Sequence, residues 1–332
     1  MKLYYLQYYK DFRCIAAACP DSCCKEWTVD VDPEAAAMYR ALPGALGDRL
    51  RAVLKDTPEG TVMEIENGRC PMWQQDSLCR IQATLGHDAL CQTCRDFPRL
   101  RHDYGDFVEL GLELSCPEAA RLILSNGDQE ILVTTQPNDT EAEYDAEAMA
   151  ILRRSRKSTL DFLSSADCTV PQALAAILLY AHDVQEELDG ADPTSLSPAD
   201  CLPEVSQYIG QGNIVGVFDF FKSLEILTPL WEFRLQEGPV PVAWTPVFRA
   251  LARYFIARYW LQAVSDYDLV CRVKLMIVAC LLIGALGGDP VQTAQLFSKE
   301  IENDPDNLDA ILDAAYTEPA LADRNLLGLL LP

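Results

Sequence analysis

The cysteines constrain this chain more than any other feature of its sequence. It has 332 residues and 13 cysteines, nine of which lie between Cys14 and Cys116. These nine occur as two groups and a late single residue, in the order Cys14, Cys19, Cys23, Cys24, then Cys70, Cys79, Cys91, Cys94, and finally Cys116. Thiolates are soft ligands that bind zinc and iron–sulfur clusters well. The layout therefore predicts a composite metal site whose ligands come from distant segments.

The hydropathy pattern argues against export and against membrane insertion. The first ten residues contain no apolar run of signal-peptide length and no small-residue cleavage site. The longest apolar run, residues 275–288, is shorter than the ~20 residues of a membrane-spanning helix, so we expect a buried core helix there. We therefore expect a cytoplasmic protein that does not bind membranes. Structural disulfides are rare in a reducing cytosol, which favours metal binding by the thiols.

The charge excludes one class of partner. Fifty acidic residues against 27 basic ones give a formal net charge of −23, so a basic surface that neutralises phosphates is not expected, and neither is a nucleic acid partner. Residues 1–120 carry a net charge of −6 and the remainder −17. The stretch 128–147 holds seven acidic residues and no basic one, which favours a solvated helical surface over a docking patch for a basic partner.

Local patterns predict an α+β fold that is mostly α. We expect a small cysteine-rich, metal-binding region with a few short strands over residues 1–125, followed by an all-α helical bundle over 126–332. Asp32 and Pro33 are typical of a helix start. Apolar and acidic residues alternate over 107–115, which predicts a half-buried strand, and Pro117 then begins a helix.

Several strings of this sequence resemble those of a known family. They are Cys19-Pro-Asp-Ser-Cys-Cys-Lys-Glu-Trp27, Gly68-Arg-Cys-Pro71, Leu78-Cys-Arg-Ile81, Thr93-Cys-Arg-Asp-Phe-Pro-Arg99 and Leu114-Ser-Cys-Pro-Glu-Ala-Ala120. Together they resemble the flagellin lysine N-methylase family, which belongs with the broader group of zinc- or iron-chelating proteins that have a Cys-Cys pair. The motifs cover roughly residues 9–125, and the helical pattern over 248–283 is also similar.

The resemblance implies a set of metal ligands and an activity. The family pattern has eight cysteines, which fall here on Cys14, Cys19, Cys23, Cys24, Cys70, Cys79, Cys94 and Cys116. It implies that they hold a 4Fe-4S cluster, with zinc as the alternative metal, and that methyl groups pass from S-adenosylmethionine to lysines of flagellin. Five cysteines fall outside this pattern and are expected to be mainly buried or incidental, namely Cys91, Cys168, Cys201, Cys271 and Cys280.

The donor site and the catalytic residues are less well marked. No strand is followed by a Gly-x-Gly turn and a helix, and residues 284–288 are typical of a helix end, so the cluster is favoured as the anchor for S-adenosylmethionine. Arg80, Arg95 and Arg99 are weak candidates to bind the donor carboxylate, with a fold-stabilising salt bridge as an equal alternative. No catalytic residue is identified.

Carboxylates near the first cysteines are the candidates for contact with substrate. Asp21, Glu26 and Asp30 could receive a lysine ammonium group, although solvated loop carboxylates are favoured, and Trp27 is expected to pack against the site. Two functions follow. The first is an S-adenosylmethionine-dependent protein lysine N-methyltransferase acting on a flagellin-type protein with exposed lysines. The alternative is a non-catalytic zinc- or iron-chelating structural or adaptor protein.

Overall fold

The computed structural model describes residues 1–25, 27–125, 131–135, 140–165, 167–208, 210 and 212–331. Glu26 and parts of the acidic stretch 128–147 therefore lie outside the described residues. The described strands are β1 Lys2–Tyr5, β2 Val29–Val31, β3 Leu54–Asp56, β4 Thr61–Met63, β5 Arg99–Asp103, β6 Phe107–Leu112 and β7 Leu132–Thr135.

Helices make up most of the described chain, which confirms the prediction of an α+β fold that is mostly α. They are α1 Gln7–Asp11, α2 Pro33–Ala41, α3 Gly44–Val53, α4 Arg80–Leu85, α5 Gln92–Asp96, α6 Pro117–Ser125, α7 Ala146–Ser165, α8 Val170–Leu188, α9 Pro198–Val205, α10 Ile214–Ser223, α11 Pro229–Glu237, α12 Val247–Tyr259, α13 Val270–Leu286, α14 Pro290–Phe297, α15 Pro305–Ala314 and α16 Asp323–Leu330.

The chain divides into two compact units. The cysteine unit comprises Phe12–Leu100 together with Cys116–Glu118. The helical unit comprises Met1–Asp11, Arg101–Ser115 and the described residues from Ala119 onward. These units are defined by their internal contacts and not by independent folding. The expected domain boundary near residue 125 therefore stays a prediction.

In the cysteine unit, a three-stranded antiparallel sheet in the order β2-β4-β3 packs with α2 and α3. Asp32 accepts a hydrogen bond from the Ala35 amide at 2.9 Å, and Pro33 occupies the first turn, which confirms the predicted helix start. The second carboxylate oxygen of Asp32 accepts from the Gln92 amide at 2.7 Å. One side chain thus joins the beginnings of α2 and α5. The apolar core of this unit includes Cys70 and Cys91.

The helical unit contains strands that local patterns did not predict. Its sheet has the order β5-β6-β1-β7, with β1 parallel to β6 and antiparallel to β7. The prediction that residues 126–332 are all-α is therefore wrong at β7. The β-branched run Val133 to Thr135 was the available signal, but its partner β1 lies more than a hundred residues away, and such pairing leaves no local pattern.

Strand β6 departs from the expected division into an apolar and a solvated face. Val108 and Leu112 are buried as predicted. Glu109, expected to face solvent, instead accepts two hydrogen bonds from the Arg156 guanidinium on α7, at 2.6 and 2.9 Å. Its side chain is only 12% exposed. Because Arg156 of α7 pairs with Glu109, this face of β6 is also shielded from solvent.

Helix α13 is the buried core helix expected from the apolar run, and all of its residues are buried. Its one ammonium group, on Lys274, donates to the Ala315 carbonyl at 2.6 Å and pairs with Asp323 at 2.8 Å. The helix ends at Leu286, and Gly287 follows with a φ of 70°, so the glycine-rich segment is a helix end as predicted. Within the described residues, no helix combines the length and apolar character needed to cross a membrane.

Candidate metal centre

Four thiols of the cysteine unit form one hydrogen-bonded group. The Cys24 thiol is hydrogen-bonded to the sulfurs of Cys23, Cys70 and Cys79. The backbone brings the segments together, because the Cys70 amide donates to the Cys24 carbonyl at 2.7 Å and Cys79 is paired with Trp73 in an isolated β-bridge. Cysteines separated by more than forty residues therefore converge, as the composite-site prediction requires.

A second pair of thiols lies beside this group. Cys91 precedes the first residue of α5, Cys94 lies in that helix, and their side chains are hydrogen-bonded to each other. Cys94 is near enough to Cys23 and Cys70 to interact with them electrostatically, and Cys91 interacts with Cys79 in the same way. We call these six residues the thiol cluster: Cys23, Cys24, Cys70, Cys79, Cys91 and Cys94.

The hydrogen bonds within the thiol cluster distribute its protons unequally. Hydrogen bonding with Cys23, Cys70 and Cys79 raises the pKa of Cys24. The hydrogen bond from Cys24 lowers the pKa of Cys79 to about 6, although burial acts in the opposite direction. Hydrogen bonding with Cys24 is also the largest cause that lowers the pKa of Cys23 and of Cys70. The thiolate is the form that binds metals, and the lowered pKa of Cys23, Cys70 and Cys79 favours that form at these three sulfurs.

The remaining cysteines of the predicted set differ in exposure. Cys14 is exposed. Burial is the main cause that raises the pKa of Cys19, and Cys14 and Cys23 contribute through their charges, so these three sulfurs are neighbours. Cys116 is buried directly before α6 and belongs to the cysteine unit. Of the eight predicted ligands, the structure thus brings five into one cluster.

Three cysteines outside the motifs behave as ordinary buried residues, whereas Cys168 is partly exposed. Cys201, Cys271 and Cys280 are buried, all three in the helical unit. Burial raises the pKa of Cys201 and Cys271 to about 12, and burial alone raises that of Cys280. Thiols of this kind act as small apolar side chains. Cys91 differs from them, because its sulfur faces another thiol.

The donor chemistry of the thiol cluster fits a soft metal or an iron–sulfur cluster. In the described part of the chain, no three His, Cys, Asp or Glu side chains are arranged as ligands of a metal ion. Two buried N–H groups beside Cys79, the Trp73 indole Nε1 and Arg80 Nε, have no hydrogen-bond acceptor among the described residues. N–H groups that point at thiolates or cluster sulfides stabilise their negative charge. The thiols and these N–H donors therefore have the chemistry that a soft metal or an iron–sulfur cluster requires. The positions of the sulfurs are not those of a formed metal site.

The three candidate arginines have distinct surroundings. Arg80 carries the unpartnered Nε. Arg95 lies near Asp32, whose pKa is lowered chiefly by hydrogen bonds from the Gln92 and Ala35 amides and further by the Arg95 charge. The guanidinium of Arg99 lies 5.1 Å from the ring centroid of Phe12. Of these three arginines, Arg80 alone has a buried N–H group without a hydrogen-bond acceptor among the described residues.

An open groove in the cysteine unit is lined with carboxylates. Its volume is about 760 Å³, and Gln92 and Thr93 of α5 form part of its wall. We call it the acidic groove, and its charged lining consists of Asp30, Asp32, Asp56, Glu59, Asp96 and the single cation Arg40.

Within the described residues, three carboxylates of the acidic groove are free. Arg40 is neutralised by Asp56 at 2.6 Å, and Asp32 is used in capping α2, whereas Asp30, Glu59 and Asp96 have no ion pair. Of the carboxylates proposed from sequence, Asp30 thus lines the groove.

Two other predicted neighbours of the cysteines have local partners. Asp21 is paired with Lys25 at 2.6 Å, and Glu26 lies outside the described residues. Trp27 donates from its indole Nε1 to the Cys23 carbonyl at 2.8 Å and lies 6.3 Å from the ring of Phe97. Trp27 therefore packs beside the cysteines, as predicted.

The sequence is similar to curated proteins from Salmonella. The flagellar biosynthetic protein FliU of Salmonella muenchen is 36% identical over 124 residues, which are 35% of this chain and 73% of that protein. Lysine-N-methylases of Salmonella choleraesuis and Salmonella typhimurium are each 29% identical over 191 residues, which are 54% of this chain. The match covers 47% of these two relatives, so the chain spans about half their length. No family model and no solved structure matches the chain.

Proposed function

The chain belongs to the family of flagellar biosynthetic protein FliU and lysine-N-methylase, and from this membership we propose that it methylates lysine side chains of a protein substrate. The observation that carries the proposal is the 29% identity to two lysine-N-methylases over 191 residues. We further propose that it acts in the cytoplasm with S-adenosylmethionine as the donor and a flagellin-type protein as the substrate.

We propose that a 4Fe-4S cluster, with zinc as the alternative metal, is held by thiolates from the eight-cysteine pattern, namely Cys14, Cys19, Cys23, Cys24, Cys70, Cys79, Cys94 and Cys116. Eight thiols exceed the four that one cubane takes, so the others bind a second metal or stabilise the fold. When bound, such a cluster supplies an electrophilic iron that can take the amino and carboxylate groups of S-adenosylmethionine. The residues themselves contribute the thiolates and the two N–H groups of Trp73 and Arg80. The guanidinium of Arg80 suits a carboxylate, because a charged hydrogen bond would satisfy its buried Nε.

In the proposed function, the acidic groove binds the lysine-bearing segment of the substrate. Free carboxylates on Asp30, Glu59 and Asp96 attract ammonium groups and hold them in the charged form. A lysine amine is a nucleophile only when neutral, so these carboxylates disfavour the reaction of any lysine that they contact. The groove therefore suits lysines that flank the target, and the target amine must lose its proton elsewhere.

The alternative function is a non-catalytic metal-chelating adaptor. Cys70 and Cys91 belong to the apolar core of the cysteine unit, so a metal bound there would also stabilise the fold. Zinc bound in stoichiometric amount, without iron and without binding of S-adenosylmethionine, would favour this function.

Methyl transfer is the test of the proposed function. The full chain, purified anaerobically, is incubated with methyl-labelled S-adenosylmethionine and a lysine-containing flagellin, and label on lysine is measured by mass spectrometry. We expect lysine residues to gain methyl groups, and flagellin with acetylated lysines, the control, to gain none. No label on flagellin from protein with an intact iron–sulfur cluster would contradict the proposal.

A further inference from the structure

We propose that Cys91, which lies outside the eight-cysteine pattern, is a metal ligand that acts as a pair with Cys94. The inference rests on the metal centre of the proposed function, but not on methyl transfer. On binding, each thiol loses its proton to solvent as the sulfur–metal bond forms.

The backbone at the start of α5 places the two sulfurs together. Cys91 has an extended conformation, with φ −62° and ψ 159°, and its carbonyl accepts from the Arg95 amide at 2.9 Å, which begins the first helical turn. Cys94 follows in that turn, and the two thiols are hydrogen-bonded. Two cysteines separated by two residues at the start of a helix are a common way to supply two ligands to one metal.

The surroundings of Cys91 differ from those of an incidental buried cysteine. Cys91 is only 3% exposed and belongs to the core of the cysteine unit, yet its sulfur contacts a thiol and lies near the charges of Cys79 and Asp32. Cys280 is equally inaccessible, but only burial perturbs it. Cys91 therefore has other sulfurs around it, as metal ligands do. Cys280 has the surroundings of an apolar side chain.

The number of converging thiols also supports a role for this pair. Cys24 already joins Cys23, Cys70 and Cys79 in a group of four, the number of thiolates that one tetrahedral metal or one cubane takes. Cys91 and Cys94 form a separate hydrogen-bonded pair beside it. The structure thus assigns Cys91 and Cys94 to metal binding in addition to the four thiols grouped around Cys24.

Cobalt binding tests the assignment. The full chain, reduced and freed of metal, is titrated anaerobically with Co²⁺, and thiolate-to-metal charge-transfer absorbance is recorded. We expect Cys91→Ala and Cys94→Ala each to lose part of this absorbance and to weaken Co²⁺ binding about tenfold or more at one site. The double variant should lose little beyond either single variant, because the two thiols act as a unit. Cys280→Ala, the matched buried control, should titrate as the wild type does.

A substitution by another ligand separates coordination from packing. Cys91→His should keep Co²⁺ binding with a changed spectrum, because imidazole also binds this metal, whereas a role in packing predicts loss with both His and Ala. An unchanged titration of Cys91→Ala would overturn the inference, as would failure of the wild type to bind Co²⁺. Absence of methyl transfer together with an intact cobalt spectrum would overturn only the proposed function.

Discussion

Arg80 differs from Arg95 and Arg99, the other two candidate arginines, in the surroundings of its Nε atom. Its Nε is buried without an acceptor, whereas Arg99 lies over the ring of Phe12 and Arg95 lies near Asp32. A buried donor that lacks an acceptor costs about 1–3 kcal/mol, so the native protein is expected to gain from a ligand that supplies one. The sequence marks all three arginines by their proximity to cysteines and cannot rank them, because the rank depends on which acceptors the fold supplies.

Substitution of Arg80 should therefore weaken binding of the methyl donor. With one charged hydrogen bond lost, Arg80→Met should raise the Kd for S-adenosylmethionine about tenfold, as measured by equilibrium dialysis of metal-loaded protein. The control is Arg99→Met, which should change the Kd little. Equal effects of the two substitutions, or loss of metal from Arg80→Met, would show that Arg80 has no specific role in binding the donor.

The cysteines show how far residue patterns can predict a site. Motif resemblance selects eight cysteines, and the structure places five of them in the thiol cluster. The resemblance leaves out Cys91, although the Cys91-x2-Cys94 spacing is visible in the sequence, because the family pattern has no cysteine at that position. The central position of Cys24 has no signature in the sequence, since it depends on three chain segments meeting.

At the scale of elements, helix α7 and strand β6 are joined by one nearly buried ion pair. Arg156 and Glu109 have side chains 9% and 12% exposed and share two hydrogen bonds. Removal of one member of a buried pair leaves a charge without compensation, which is more costly than removal of both. This pair is therefore expected to fix how α7 packs on the sheet of the helical unit.

The Arg156→Met substitution should destabilise the protein by about 3 kcal/mol, as measured by urea unfolding followed by circular dichroism. The double variant Glu109→Gln with Arg156→Met should recover part of this loss. Lys157→Met removes a cation from the exposed pair of Lys157 and Asp161 on the same helix and should have little effect. If Arg156→Met were as mild as Lys157→Met, the pair would not stabilise this packing.

Elements with a strong local signal were predicted well, and elements that depend on distant pairing were not. Capping by Asp32 and Pro33, Pro117 at the start of α6 and the apolar run of α13 were all visible in the sequence. Strands β1 and β7 are not predicted because each is only four residues long and depends on distant partners: β1 pairs with β6 and β7, and β7 pairs with β1. Their amphipathic pattern is too short to identify without those partners.

At the scale of the whole molecule, the two units differ in what stabilises them. The helical unit surrounds α13, whose residues are all buried, whereas the core of the cysteine unit includes two cysteines of the thiol cluster. A metal bound by those thiols would add apparent binding free energy of about 10–16 kcal/mol to the fold of the cysteine unit. Most of the net charge of −23 falls after residue 120, away in sequence from the thiol cluster.

Metal and sulfide analysis of the full chain, purified anaerobically, tests the central claim that these thiols hold an iron–sulfur cluster. We expect iron and acid-labile sulfide in equal amounts, with both lost from Cys79→Ala and retained in Cys201→Ala. Stoichiometric zinc without sulfide, or equal losses from the two variants, would contradict the account.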